Sequence, residues 1–178
     1  MESKTFNKEK FKSLLHYIIF RCGNKSNVGK TVLFKLLYFS DFNYYEKYEK
    51  SLTNESYKKL PYGPAPIHFN NAIKELQKEG KIKENVYLDE FNYLSLKTPD
   101  YNFSNEELST ISEVTDKLGN KNAEEIRNYS HGDMPWRASE LNEIIDYEFV
   151  FYRDPDYCVR VYDENGLNLS RNNVLKEN

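Results

Sequence analysis

Residues able to do chemistry gather in a few short stretches of the chain. Gly29-Lys30-Thr31 follows an apolar run, the order found in a phosphate-binding loop. That loop needs a glycine five residues before its second one, so that backbone N–H groups wrap the phosphates. Position 24 is Asn, Gly23 comes one residue too early, and the preceding apolar run has helical rather than strand period. The segment therefore reads as a helix–helix loop with Lys30 in solvent. His16, His68 and His131 include no pair spaced to meet on one helix face, so a metal centre would need ligands gathered from distant places. His16 reads as a partly exposed helix residue, and neither a metal nor another cofactor is expected. Cys22 and Cys158 are far apart without metal or redox spacing and read as two buried free thiols.

His131 lies in Ser130-His131-Gly132-Asp133-Met134-Pro135-Trp136, which brings an imidazole near the only tryptophan. Neighbours in the chain align poorly as nucleophile and base, so Ser130 and His131 do not suggest an enzyme. Either His131 anchors a loop with Trp136 packed on the core, or the pair binds a partner. A second stretch, Lys35-Leu36-Leu37-Tyr38-Phe39-Ser40-Asp41, is too apolar for a surface helix and ends in a carboxylate. Asp41 either bonds hydroxyl or backbone groups inside the fold or presents a charge in a groove. A third, Tyr62-Gly63-Pro64-Ala65-Pro66, is a rigid turn in front of a new helix.

The elements that must position these groups belong to a chain of 178 residues, 39% hydrophobic and 30% charged, with a mean hydropathy of −0.81. These values describe a globular protein able to bury a core. Its apolar runs are shorter than the roughly 18 residues of a membrane helix. Met1 to Lys12 alternates charges with Phe6 and Phe11, unlike a signal peptide, so the cytoplasm is the expected location and no membrane partner is expected. A net charge of −3 argues against wholesale nucleic-acid binding, which rests on clustered Lys and Arg. The 15 tyrosines and 11 phenylalanines accompany abundant Asn, Lys and Ile, as an AT-rich genome would give, so individual aromatics count by position only.

Apolar periodicity predicts a mainly α (α+β) fold. Phe11, Leu14, Leu15, Ile18, Ile19 and Cys22 mark one face of a helix from Asn7 to Cys22, stopped by Gly23-Asn24. A central helix follows from Asn27, apolar almost all round. Tyr44 to Tyr62 reads as its frayed end and then a loop or short strand. Pro66 suits the first turn of a helix carrying Phe69, Ala72, Ile73 and Leu76 and ending at Gly80. Ile82 to Leu96 reads as a β-hairpin turning at Asp89-Glu90-Phe91-Asn92. Ser104 with Glu107, and Asn122 with Glu125, form capping boxes for helices reaching Gly119 and Tyr129. Ser139 opens a further helical turn with Leu141, Ile144 and Ile145. Phe149 to Tyr152 and Val159 to Tyr162 read as paired short strands before a tail, which divides the chain into a domain over 1–148 and an extension over 149–178.

A helix ending in glycine and followed by a hairpin is how winged-helix domains build a recognition helix and wing. Lys74, Lys78, Lys81 and Lys83 could face phosphates there, but Glu75 and Glu79 weaken the charge and no Arg or Asn cluster suggests base readout.

Thr31 to Asp41 within KxxLFKLLYFSD, Tyr62-Gly63-Pro64 with Pro66, the Glu-Gly-Lys-Ile helix end, and Ser130-His131 with Trp136 together resemble the Panacea domain of the SocA-like antitoxin family. The resemblance spans roughly Lys12 to Ile145. It implies an antitoxin, not an enzyme, that binds a cognate toxin encoded nearby. Relatives are paired with toxins of unrelated kinds, and the SocA branch delivers its toxin to a cytoplasmic protease. Tyr38, Asp41, Tyr62, Gly63, Pro64, His131 and Trp136 are the partner-binding residues expected on this reading, with a homo-oligomer left open. Some relatives carry an added DNA-binding domain, for which the stretch before Phe11 leaves no room. A winged-helix-like regulator and a phage protein acting on a host partner are the alternative readings.

Overall fold

Helix α2, Lys30–Tyr48, is the axis of the molecule. Val32, Leu33, Leu36, Leu37, Tyr38, Phe39 and Phe42 are all buried on it, so it has apolar groups on every side and must be enclosed all round. The structure, a computed structural model, describes residues 5–87 and 90–172. Helices α1 (Lys8–Cys22), α4 (Asn105–Leu118) and α5 (Ala123–His131) pack around α2, with the hairpin of β1 (Tyr57–Leu60) and β2 (Gly63–Pro66). Helix α1 buries the face its spacing predicts, and Asn7 caps it by accepting from the Lys10 backbone N–H at 3.0 Å. Both capping boxes form as expected, at Ser104 with Glu107 and at Asn122 with Glu125. Helix α3 (Phe69–Lys78) buries Phe69, Ala72, Ile73 and Leu76. It leads into β3 (Ile82–Tyr87) and β4 (Glu90–Ser95), paired antiparallel from Ile82↔Ser95 outward. The mainly helical α+β architecture is thus the expected one.

Several local expectations fail for tertiary reasons. Helix α2 does not fray at Tyr44. It runs to Tyr48 because Glu46 and Lys47 are buried against partners distant in sequence, Arg153 and Glu113. Pro66 lies in β2, not in a helical turn, and α3 starts only at Phe69. Pro64 and Pro66 fit a two-stranded hairpin because a strand with a free edge can spare N–H groups. Ser139 to Ile145 is not helical: it turns at Leu141 and Asn142, and Ile144 then bridges to Lys58 of β1. The backbone N–H groups of Asn142 and Ile145 donate to the Lys59 and Tyr57 carbonyls, and the Lys59 N–H donates to Glu143. Pairing with β1 has overridden the local capping signal.

Phe149 to Tyr152 is a 3₁₀ turn (Tyr147–Tyr152) with Val150 buried, not a strand, and Tyr162 pairs with Asn168 instead. Strand β4 already includes Glu90, Phe91 and Asn92, expected in the turn, while Leu88 and Asp89 lie outside the described residues. Within the expected tail, Leu169–Asn172 form a short helix α7. Both cysteines are free, Cys22 buried and Cys158 half-buried.

Candidate functional site

The turn joining β1 to β2 is two residues, Pro61 and Tyr62, because Leu60 pairs with Gly63. Tyr62 stands out from it, 68% exposed. Gly63 adopts φ +101°, and a Cβ there would sit 2.6 Å from Lys35 Cε and 2.6 Å from Ser130 Oγ. Only glycine meets both demands. The turn is thereby pressed onto Lys35 of α2 and Ser130 of α5. Beside it, the short helix α6 (Met134–Ala138) carries Trp136. The indole N–H donates to the Leu60 carbonyl at 3.3 Å, and its ring stacks on His131 with centroids 4.1 Å apart. The Lys59 ammonium lies 4.2 Å from the indole centroid, and the Arg127 guanidinium lies 5.7 Å from the Tyr62 ring. Tyr62, Gly63, Pro64, His131 and Trp136 are therefore brought together on one face, with Gly63 and Pro64 buried beneath the exposed Tyr62.

The charges around this face share one sign. Lys35 is 2% exposed, and burial, reinforced by Arg127, lowers its pKa to about 7. Burial also lowers the His131 pKa, aided by Lys35 and Arg127 and opposed by the Pro61 backbone nearby. A lysine of lowered pKa near a serine resembles half of a Ser–Lys catalytic pair. Ser130, however, is fully buried and donates its hydroxyl to the Arg127 carbonyl at 2.8 Å, an arrangement of a helix-anchoring serine. The geometry suits recognition: a rigid turn, the exposed Tyr62 beside the half-buried Trp136, and cations in one patch.

Tyr38 and Asp41 lie elsewhere and are completely buried, so neither lines the face as expected, and Asp41 follows the first of its two readings by bonding hydroxyl and backbone groups inside the fold. Tyr38 donates to Asp133 at 2.8 Å. Arg153 binds Asp133 through Nε and Nη2 at 2.8 Å each, and Glu46 through Nη1 at 2.7 Å. Burial works to lower the Arg153 pKa, but Asp133 more than offsets this and holds it raised. Asp41 accepts from the Thr53 backbone N–H at 3.0 Å, from the Thr53 hydroxyl at 2.9 Å and from Tyr57 at 2.5 Å. Burial nevertheless pushes its pKa up to about 7. These two residues hold α2 against the elements that carry the face.

Sequence reasoning missed Lys35, Lys59 and Arg127 as members of the face. Only Lys35 carried a signal, a cation inside an apolar run. Elsewhere, Glu75 binds Lys8 and Lys12, while Glu79 binds Lys12 and Lys81, so carboxylates interleave with the cations of the helix–hairpin segment. Among the described residues no group of His, Cys, Asp and Glu could hold a metal ion, and no helix is long and apolar enough to cross a membrane.

The family described as "Antitoxin SocA-like, Panacea domain" matches residues 33–137, well over half of the 178 residues. The matched stretch runs from α2 to α6 and so contains every residue of the face. No curated protein and no solved structure matches the chain.

Proposed function

The chain belongs to the SocA-like Panacea antitoxin family, and on that premise we propose that it neutralises a cognate toxin by binding the toxin protein directly. The face built by the β1–β2 turn, His131 and Trp136 would make the contact. The observation that carries this reading is Tyr62, a large aromatic 68% exposed on a turn that Gly63 locks against α2 and α5. Rigid loops lose little entropy on binding, and aromatic and Arg side chains dominate interface energetics. Tyr62, Trp136 and Arg127 supply both kinds of anchor. On this reading the two proteins would meet in the cytoplasm, where a co-encoded toxin is made.

Growth rescue tests the reading. The neighbouring reading frame is induced with and without this protein, and the pair is then co-purified. A toxic neighbour, relieved together with a stable complex, is the expected result. Relief accompanied by disappearance of the toxin would add delivery to a cytoplasmic protease. A toxic neighbour that is relieved with neither complex nor degradation would overturn direct capture.

A further inference from the structure

Beneath the β1–β2 turn lies a group of cations without a counter-ion. Among the described residues, the other deeply buried cations are paired: Lys12 with Glu79 and Glu75, Lys47 with Glu113, and Arg153 with Asp133 and Glu46. Lys35 is as buried as these, at 2% exposed, yet no carboxylate of a described residue lies within ion-pair distance of it. Arg127 and Lys59 also lack one. A second and independent sign is His131 Nε2, a buried ring nitrogen with no hydrogen-bond partner. An unpaired buried charge is costly, so Lys35 gives up its proton readily here, and an arriving anion would offset that cost.

We propose that Lys35, Arg127 and His131 form a receiving site for one carboxylate of the partner protein, an aspartate or glutamate side chain set beside the Gly63 backbone and Trp136. The inference rests on the capture reading for its partner but not for its chemistry. Lys35 and Arg127 would donate to the carboxylate, and charge-assisted bonds of this kind are the strong ones. His131, whose buried Nε2 has no partner in the protein, would take up a proton at that nitrogen as the carboxylate arrives. Lys59 is held over the Trp136 ring and adds positive field. A nucleic-acid phosphate fits less well, because the chain has a net charge of −3 and Lys8, Lys12 and Lys81 are bound by Glu75 and Glu79. Those pairs leave no continuous basic track for a polyphosphate.

Three probes at constant ionic strength decide the matter: acetyl-Gly-Glu-Gly-amide, its Gln counterpart, and inorganic phosphate. The pH titration of the His131 ring is followed by NMR. The Glu peptide is expected to move that titration upward by about one unit, a tenfold change in proton affinity, and to shift the Trp136 indole signal. The Gln peptide should do neither, and Lys35→Met or the milder Arg127→Gln should abolish the response. Equal effects of the Glu and Gln peptides, an undiminished response in both variants, or a larger shift with phosphate would each overturn the proposal. No toxin takes part, so failure here leaves the capture reading standing, and failure of capture leaves this response unaltered.

Discussion

Lys35 and Asp41 sit six residues apart on one helix, and burial moves their proton affinities in opposite senses. Each is most stably buried in its neutral form. Asp41, pushed from 3.8 up to about 7, binds its proton more tightly in the folded protein than in the unfolded one. Its contribution to stability is full below pH 3.8 and is lost as the pH rises to about 7. Lys35, lowered from 10.5 to about 7, gives the reverse: its cost is full below pH 7 and fades as the pH climbs to 10.5. The stability of the wild type relative to Asp41→Asn should therefore be greatest near pH 4 and decline towards neutrality, with a limiting slope of about 1.4 kcal/mol per pH unit. Urea unfolding of both proteins from pH 4 to 8 checks this, and a difference independent of pH would contradict it.

At the scale of elements, the β1–β2 hairpin decides whether there is a face at all. Gly63→Ala should be damaging twice over, once through its φ of +101° and once through the collision of the new methyl with Lys35 and Ser130. A cost of about 2–4 kcal/mol follows from strain and overpacking together, measured by urea denaturation, and Trp136 fluorescence should report the displaced turn. A neutral substitution would mean that the turn is loosely held. Local signals were legible where both partners lie within one turn of helix, as at Ser104 with Glu107 and Asn122 with Glu125. They failed where the partner is remote. Pro64 and Pro66 are in a strand because Tyr57 to Leu60 pairs with them, and Ser139 to Ile145 forms no helix because its backbone bonds β1 instead. Of the face, the motif residues Tyr62, Gly63, His131 and Trp136 could be picked from the sequence. Burial of Tyr38 could not, since a tyrosine on a helix looks alike whether it faces a groove or a core, and for Asp41 burial was legible only as one of two readings.

For the whole molecule, the segment beyond the family match is part of the core. Ile145, Val150 and Arg153 are buried, and Arg153 joins Asp133 next to α6 to Glu46 on α2. Removing one partner of such a buried network leaves uncompensated charge and costs about 3–5 kcal/mol. Arg153→Met should therefore lose that much stability in urea unfolding, and a chain ending at Asp146 should show no cooperative thermal transition by circular dichroism. A truncated chain that melts like the full one would show that the last segment is an appendage.

The most direct test of the proposed capture by this face is the affinity of the wild type and of Tyr62→Ala for the toxin that growth rescue identifies, measured by calorimetry. Tyr62 is exposed, so its removal should leave the thermal transition in place. An anchor of this kind is worth about 2 kcal/mol, and the account predicts roughly thirty-fold weaker binding. Unchanged affinity in a folded variant would contradict it.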